Sequence, residues 1–247
     1  MSRIDASIKT RDGNCPASLF TPAKGEGPWP GVIFYIDAVG IRPAMQEMAQ
    51  RLADNGYAVL LPDVFYRNGP IEVMDPATAF GDPAKKEFIM KLVGSLDRDR
   101  TVSDAEAFIG FLAARPEVKG DRFGVTGYCM GGKLAVTAAG AYPTRFAAIG
   151  SFHAGGLVTD QPDSPHRFLQ GITGHVYVGG ADNDSHFTAE QKTQLEAALT
   201  EAKVPHQVEL YAGSMHGYAV PDHPAFNAQG AERHWQALTK LLAETLA

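Results

Sequence analysis

The sequence Gly-Tyr-Cys-Met-Gly-Gly at residues 127–132 constrains the fold of this chain more than any other segment. It has the G-x-S-x-G layout of a nucleophile elbow, with Cys129 in place of serine. Residues 122–126 predict the strand before this turn, and residues 133–139 predict the helix after it. A cysteine at a helix N-terminus lies at the positive end of the helix dipole, which favours the reactive thiolate. The segment therefore predicts an α/β fold in which Cys129 projects from the sheet.

A free cysteine is often an ordinary buried residue, so the rest of the sequence has to decide between the two interpretations. A triad requires an acid and then a histidine, each after a strand of the same sheet. Residues 174–182 predict an apolar strand that ends in a Gly-rich turn with Asp182 at its tip, and His216 lies in the loop after an alternating strand at 207–211. We predict Cys129 as nucleophile, Asp182 as orienting acid and His216 as general base. Asp184 competes for the acid position, but Asp182 directly follows the predicted strand.

The remaining sequence alternates strands and helices, as expected for a mainly parallel sheet with helices on both faces. Strands are predicted at 17–21, 31–36, 57–61, 122–126, 146–151, 174–182 and 207–211, and helices at 43–55, 83–96, 101–115, 133–139, 186–203 and 226–246. The length suits one α/β domain, residues 1–247. Residues 66–97 are irregular around one helix, and we interpret them as a candidate lid, because unusually long connections tend to be functional. The alternative is an ordinary long connection.

Charge and composition exclude several classes of protein. The net charge is −6 and no basic cluster is present, which argues against nucleic-acid binding. No apolar run approaches the roughly eighteen residues of a membrane span, and the N-terminus lacks the apolar core of a signal peptide, so we expect a cytoplasmic protein. Cys15 and Cys129 are the two cysteines, too few for a disulfide framework. The histidines have no compact metal-ligand spacing, and we expect no metal.

These segments resemble the dienelactone hydrolase family, cysteine hydrolases of the α/β-hydrolase superfamily. The resemblance covers nearly the whole chain, and its most specific part is the elbow at 127–132. It is also carried by the strand regions at 30–37 and 56–65, by Gly-Gly-Ala-Asp at 179–182 and by His-Gly at 216–217. The resemblance implies the α/β-hydrolase fold and a hydrolase of the carboxymethylenebutenolidase class that cleaves an ester or lactone through an acyl-enzyme, without a cofactor.

The resemblance also implies roles for individual residues. Cys129, Asp182 and His216 match the triad of the family, in the order predicted from the residues alone. The oxyanion of the reaction would be held by the backbone N–H groups of Met130, the residue after the nucleophile, and of Ala38, in the loop after the strand at 31–36.

The chain departs from the family at two positions. Asp37 stands where family members carry a glutamate that interacts with the resting thiol, which makes Asp37 a candidate modulator of Cys129. Val220 stands where dienelactone-cleaving members carry an arginine that binds the substrate carboxylate. An isopropyl group cannot replace a guanidinium there, so we expect small neutral or less acidic esters to be preferred over dienelactone. Three arginines stay open as replacements: Arg67, Arg98 and Arg100.

Aromatic residues near predicted loop ends can form an apolar substrate wall, or they can belong to the core. With Val220, the candidates for substrate binding are Tyr35, Phe65, Tyr66, Phe152 and Tyr218. His153, at the end of the strand at 146–151, is a candidate for a supporting role beside the pocket, although a hydrogen-bonded structural histidine is the alternative.

Two other functions stay open beside the hydrolase. One is a non-catalytic protein of the same fold that binds a small molecule, and the other is a thiol redox protein, for which no second cysteine lies near Cys129 in sequence. The expected partner is a small ester or lactone. The oligomeric state, monomer or homodimer, is undecided.

Overall fold

Eight strands form one sheet in the computed structural model, which describes residues 2–246; the two terminal residues of the predicted 1–247 domain lie outside the described residues. The strands are β1 (Ser2–Thr10), β2 (Gly13–Thr21), β3 (Trp29–Tyr35), β4 (Ala58–Pro62), β5 (Val118–Tyr128), β6 (Phe146–Phe152), β7 (His175–Asn183) and β8 (His206–Met215). Their order across the sheet is β1-β2-β4-β3-β5-β6-β7-β8. Strands β3 to β8 pair in parallel, whereas β2 pairs antiparallel with both of its neighbours, β1 and β4. The predicted mainly parallel sheet is confirmed.

Seven α-helices accompany the sheet in the part of the chain that the structure describes. They are α1 (Pro43–Ala53), α2 (Pro76–Ala79), α3 (Pro83–Gly94), α4 (Arg98–Ala113), α5 (Met130–Ala141), α6 (Ala189–Glu201) and α7 (Ala228–Thr245). Five of them begin after a polar residue whose side chain accepts hydrogen bonds from the first free N–H groups, which fixes where these helices start. The five capping residues are Asp75, Asp82, Asp97, Thr188 and Asn227. Within residues 2–246 no helix has the length and apolar character needed to cross a membrane.

The central strands are apolar along their whole length because both faces of the sheet are covered. Val32, Ile33 and Phe34 of β3 are all fully buried, and so is the run 58–61 of β4. This continuous burial is why the sequence predicts these strands clearly. The edge strand β1 was not predicted, although Ile4, Ala6 and Ile8 alternate with polar residues along it, a pattern typical of a half-buried strand. It pairs with β2 through a turn that ends in Asp-Gly at 12–13, a sequence typical of hairpins.

The strand order creates a crevice between β3 and β5. From β3 the chain crosses to β4 on one side, and it later returns to β5 on the other side of β3. The loops that follow β3 and β5 therefore leave the sheet in opposite directions, and this switch point is where open α/β sheets bind ligands. Ala38 and Cys129 follow these two strands, so the fold brings them to the same crevice.

Candidate active site

The nucleophile elbow predicted from the sequence is present as a strand-turn-helix between β5 and α5. Cys129 has φ 55° and ψ −121°, a backbone conformation that residues with a side chain rarely adopt. The flanking glycines are required by close approach: a Cβ atom on Gly127 would overlap the carbonyl oxygen of Gly131, and one on Gly131 would overlap the carbonyl oxygens of Tyr35 and Ile36. The strained turn leaves the Cys129 side chain only partly buried, at the start of a helix.

Cys129, His216 and Asp184 form a continuous hydrogen-bonded series. His216 Nε2 lies 3.1 Å from Cys129 Sγ, and His216 Nδ1 lies 2.7 Å from Asp184 Oδ2. The Asp184 side chain is 1% exposed, and its other oxygen accepts the N–H of His186. A carboxylate, an imidazole and a thiol in this series can move a proton between sulfur and nitrogen while the carboxylate orients the ring.

The pKa values of the two partners reflect this contact. Burial alone would lower the pKa of His216, but its hydrogen bonds to Asp184 and Cys129, and their charges, raise the pKa from 6.5 to about 10. Burial alone would raise the pKa of Asp184, but the hydrogen bond from His216 and its charge hold that pKa below 3.8. Both shifts favour an imidazolium next to a carboxylate.

The prediction that Asp182 orients His216 is wrong. Its carboxylate accepts the backbone N–H groups of Gly213 and Ser214 at 2.9 and 3.1 Å, so it fastens the end of β7 to β8. The Gly-Gly-Ala segment that suggested a turn belongs to β7, which continues to Asn183, and Asp184 is the first residue beyond the strand.

The paired glycines stand within β7 because neighbouring side chains leave no room there. A Cβ atom on Gly179 would lie 2.9 Å from the Tyr218 hydroxyl, and one on Gly180 would lie 2.8 Å from Phe187. Glycine inside a strand often marks this kind of close approach rather than a turn.

The two predicted oxyanion donors lie in suitable places. Met130 is the first residue of α5, so its N–H has no partner within the helix. Ala38 lies in the loop after β3, and both residues line the same cavity as Cys129 and His216.

Asp37, the predicted modulator of the thiol, is occupied by an arginine that the sequence analysis missed. Arg42 donates to both carboxylate oxygens of Asp37 at 2.7 and 2.8 Å, and to both oxygens of Asp222 at 2.8 and 2.9 Å. Arg42 is 2% exposed. This ion cluster joins the loop after β3 to the loop that follows His216. No local pattern could have indicated it, because Asp222 lies 180 residues from Arg42.

A cavity of about 590 Å³ opens next to Cys129. One wall is apolar and comes from the candidate lid: Phe80, Ile89, Met90 and Val93. The segment 66–97 thus contributes directly to the cavity. Lys86 of α3 also lines the cavity, and within residues 2–246 it is the only lysine or arginine that does so.

The residues predicted to bind substrate lie elsewhere. The aromatic and aliphatic candidates line no part of this cavity; they are buried in the core, because their side chains point into the packed layers and not past the strand ends. These are Tyr35, Phe65, Phe152, Tyr218 and Val220. Tyr66 is also outside the cavity, with its hydroxyl bound to Thr10 and Asp104.

The three arginines left open as replacements for the missing guanidinium are engaged away from the cavity. Arg67 pairs with Asp104 and Asp12. Arg98 lies over the ring of Phe168, and Arg100 donates to the carbonyl oxygen of Ser95.

Two further histidine rings flank His216. The ring centroid of His153 lies 5.3 Å from that of His216, and the centroid of His186 lies 5.1 Å from it. All three line the cavity, and so does His223. Among the residues that the structure describes, no three His, Cys, Asp or Glu side chains are grouped so that they could hold a metal ion.

Comparison with known proteins agrees with this geometry. The model of the dienelactone hydrolase family matches residues 15–246. A carboxymethylenebutenolidase of Pseudomonas putida is 30% identical over 229 residues, which cover 91% of this chain and 89% of that protein. A solved dienelactone hydrolase-like promiscuous phosphotriesterase from metagenomic libraries is 26% identical, with a TM-score of 0.78 and 99% of both chains covered. The solved structure of m3DLH is 25% identical, with a TM-score of 0.82, and the match covers 99% of this chain and 98% of that one.

Proposed function

The chain belongs to the dienelactone hydrolase family, and from this premise we propose that it cleaves a small ester or lactone through an acyl-enzyme on Cys129. His216 serves as the general base and acid, and Asp184 orients its ring. The proposal takes the described residues as one cytoplasmic α/β-hydrolase domain with segment 66–97 as its lid. The observation that carries it is the hydrogen-bonded series from Cys129 Sγ through His216 to Asp184.

Acylation begins with attack of the Cys129 sulfur on the substrate carbonyl carbon. The oxygen of the tetrahedral intermediate is held by the N–H groups of Met130 and Ala38, which need no reorganisation because the helix start and the loop after β3 already fix them. His216 gives its proton to the leaving alkoxide, and the C–O bond breaks. The product is a thioester on Cys129 and a free alcohol; in a lactone both remain parts of one molecule.

The charge on sulfur controls whether His216 acts as an acid or a base. Contact with Cys129 contributes to raising the pKa of His216 to about 10, so the ring is protonated and ready to act as an acid before acylation. A thioester carries no negative charge, and the pKa of His216 falls once it has formed. The neutral ring can then take a proton from water, which hydrolyses the thioester and restores the resting pair.

The walls of the cavity favour a substrate that is small and mostly apolar. Its volume of about 590 Å³ suits a molecule of drug size or less, and Phe80, Ile89, Met90 and Val93 offer it hydrocarbon surface. Val220 supplies no charge, and the arginines considered as replacements are engaged elsewhere. Lys86 is exposed to water, where an ion pair contributes only about 0–1 kcal/mol. We therefore propose neutral esters and lactones as the preferred class.

Turnover of p-nitrophenyl acetate by the purified protein tests the proposal, with Cys129→Ala as the decisive variant. We expect Cys129→Ala to be inactive and folded, because the sulfur is the attacking atom. Cys15→Ala is the matched control: Cys15 is fully buried on β2, burial raises its pKa, and its substitution should leave turnover unchanged.

Activity of Cys129→Ala within about tenfold of the wild type would contradict the mechanism. A wild-type protein that binds esters but neither turns them over nor becomes acylated would favour the alternative, a non-catalytic binding protein of the same fold.

A further inference from the structure

His153 is a buried histidine whose ring has no hydrogen-bond partner. The residue is 1% exposed, and neither ring nitrogen, Nδ1 or Nε2, has a hydrogen-bond partner within the described part of the chain. A buried polar group left without a hydrogen bond destabilises the fold, and a phenylalanine would fill the same space without that cost. The ring lines the cavity beside Cys129 and His216. A partner for His153 must therefore come from the cavity.

The position of this ring is fixed by its surroundings. His153 has φ 37°, and its backbone N–H donates to the carbonyl oxygen of Gly179 at 2.9 Å, so the end of β6 holds it in a strained conformation. The ring packs against Tyr218, with centroids 5.2 Å apart, and against His216 at 5.3 Å. The side chain cannot turn away from the Cys129 and His216 pair without breaking this packing.

We propose that His153 holds the water that hydrolyses the acyl-enzyme, which makes it a positioning residue for deacylation. This inference rests on the proposed function. In the proposed reaction the substrate oxygen bonds to Met130 and Ala38, and the apolar part of the substrate contacts the wall that segment 66–97 forms. His153 and His216 line the same cavity with their ring centroids 5.3 Å apart, so one water molecule can contact both rings.

A water molecule in this position has the partners it needs. An ordered buried water typically makes two to four hydrogen bonds, and here it can bond to a ring nitrogen of His153 and to Nε2 of His216. Burial, followed by the charge of His216, holds the pKa of His153 well below 6.5, so its ring stays neutral and does not compete for the proton. His216 is therefore the group that deprotonates the water.

The deacylation step balances as follows. The water oxygen bonds to the thioester carbonyl carbon as one of its protons moves to His216 Nε2. The tetrahedral intermediate then collapses, the C–S bond breaks, and the electron pair returns to the Cys129 sulfur. The carboxylic acid leaves, and the imidazolium of His216 again faces the thiolate. His153 accepts or donates one hydrogen bond and is chemically unchanged.

The test separates acylation from deacylation in rapid-mixing experiments with p-nitrophenyl acetate. In His153→Phe we expect a full burst of p-nitrophenol, an acylation rate near that of the wild type, and a deacylation rate lower by about tenfold or more. Intact mass spectrometry should show the acetylated protein accumulating. Hydroxylamine is a strong nucleophile that can attack the thioester without being positioned by His153, so it should restore turnover. His153→Asn, which keeps hydrogen-bonding atoms and tolerates positive φ, should recover part of the deacylation rate.

The outcomes distinguish this inference from its alternatives. If His153→Phe lowers the acylation rate and the deacylation rate equally, or raises KM without accumulation of acyl-enzyme, the inference is overturned and His153 is assigned to packing or substrate binding. If His153→Phe does not fold, His153→Met carries the same expectation. The same change at the other end of the sheet, His175→Phe at the start of β7, should alter neither phase. A wild-type protein that never becomes acylated would instead contradict the proposed function itself.

Discussion

Asp184→Asn tests the assignment of the acid that orients His216. The change removes the carboxylate charge and keeps the shape of the side chain. An asparagine can donate its NH₂ to Nδ1, which then places the ring proton on Nε2, the nitrogen that faces Cys129 Sγ at 3.1 Å. In that tautomer the ring cannot accept a proton from the nucleophile or from water, and an acid-to-amide change of this kind lowers kcat about 10⁴-fold in a serine protease.

The magnitude can also be judged from the contacts of His216. Raising its pKa from 6.5 to about 10 corresponds to roughly 5 kcal/mol of favourable interaction with the imidazolium. Asp184 and Cys129 share this interaction, so the loss of the Asp184 charge removes a substantial part of it. A decrease of kcat by 10³- to 10⁴-fold corresponds to about 4–5.5 kcal/mol of transition-state stabilisation. The lost charge and the wrong tautomer together are of that order.

The assay is kcat for p-nitrophenyl acetate at pH 7, with thermal unfolding to confirm that each variant is folded. Asp182→Asn is the matched control, since it makes the same chemical change two residues away. It weakens the hydrogen bonds that the side chain at position 182 accepts from the N–H groups of Gly213 and Ser214, which should cost about 1 kcal/mol of stability. We expect kcat to stay within about tenfold of the wild type. The reverse result, a large loss in Asp182→Asn and a small one in Asp184→Asn, would refute the assignment.

Three further predictions concern charge. Arg42→Met should lower the free energy of unfolding by about 3–5 kcal/mol, because it leaves the buried Asp37 carboxylate without its partner; denaturant unfolding measures this. Lys86→Met should change the ratio of kcat/KM values for a carboxylate-bearing and a neutral ester by less than about fivefold, with the wild type preferring the neutral ester. The pKa of His216 is higher in the folded than in the unfolded chain, so its protonation should stabilise the fold fully below pH 6.5, and this contribution should be lost as the pH rises through about 10. The free energy of unfolding, measured against pH for the wild type and for His216→Gln, checks this.

The parts of the site that the sequence predicts are those set by local geometry. The elbow needs only the residues from Gly127 to Gly131, because strand, turn and helix are neighbours along the chain. His216 could be predicted because it directly follows the last strand, β8. The parallel strands could be predicted because burial on both faces makes them continuously apolar.

The acid could not be chosen correctly because its position depends on contacts that are distant in sequence. A Gly-Gly pair read from the sequence alone indicates a turn, but Gly179 and Gly180 lie inside β7, where Tyr218 and Phe187 leave no room for a side chain. The strand continues beyond the predicted turn to Asn183, so Asp184 and not Asp182 contacts His216. No periodicity in the segment carries this information.

The substrate wall was misassigned for a related reason, and the error separates reaction from specificity. The groups proposed to perform the chemistry lie at the ends of β5, β7 and β8, whereas the apolar wall consists of Phe80, at the end of α2, and residues of α3. Leu92 anchors α3 by burial, while Met90, two residues before it, stays exposed to the cavity. The residues of α3 that face substrate can therefore change without moving the sheet. Local motifs predict the type of reaction in such a fold, but the substrate depends on how the segment 66–97 packs, which only the folded structure reveals.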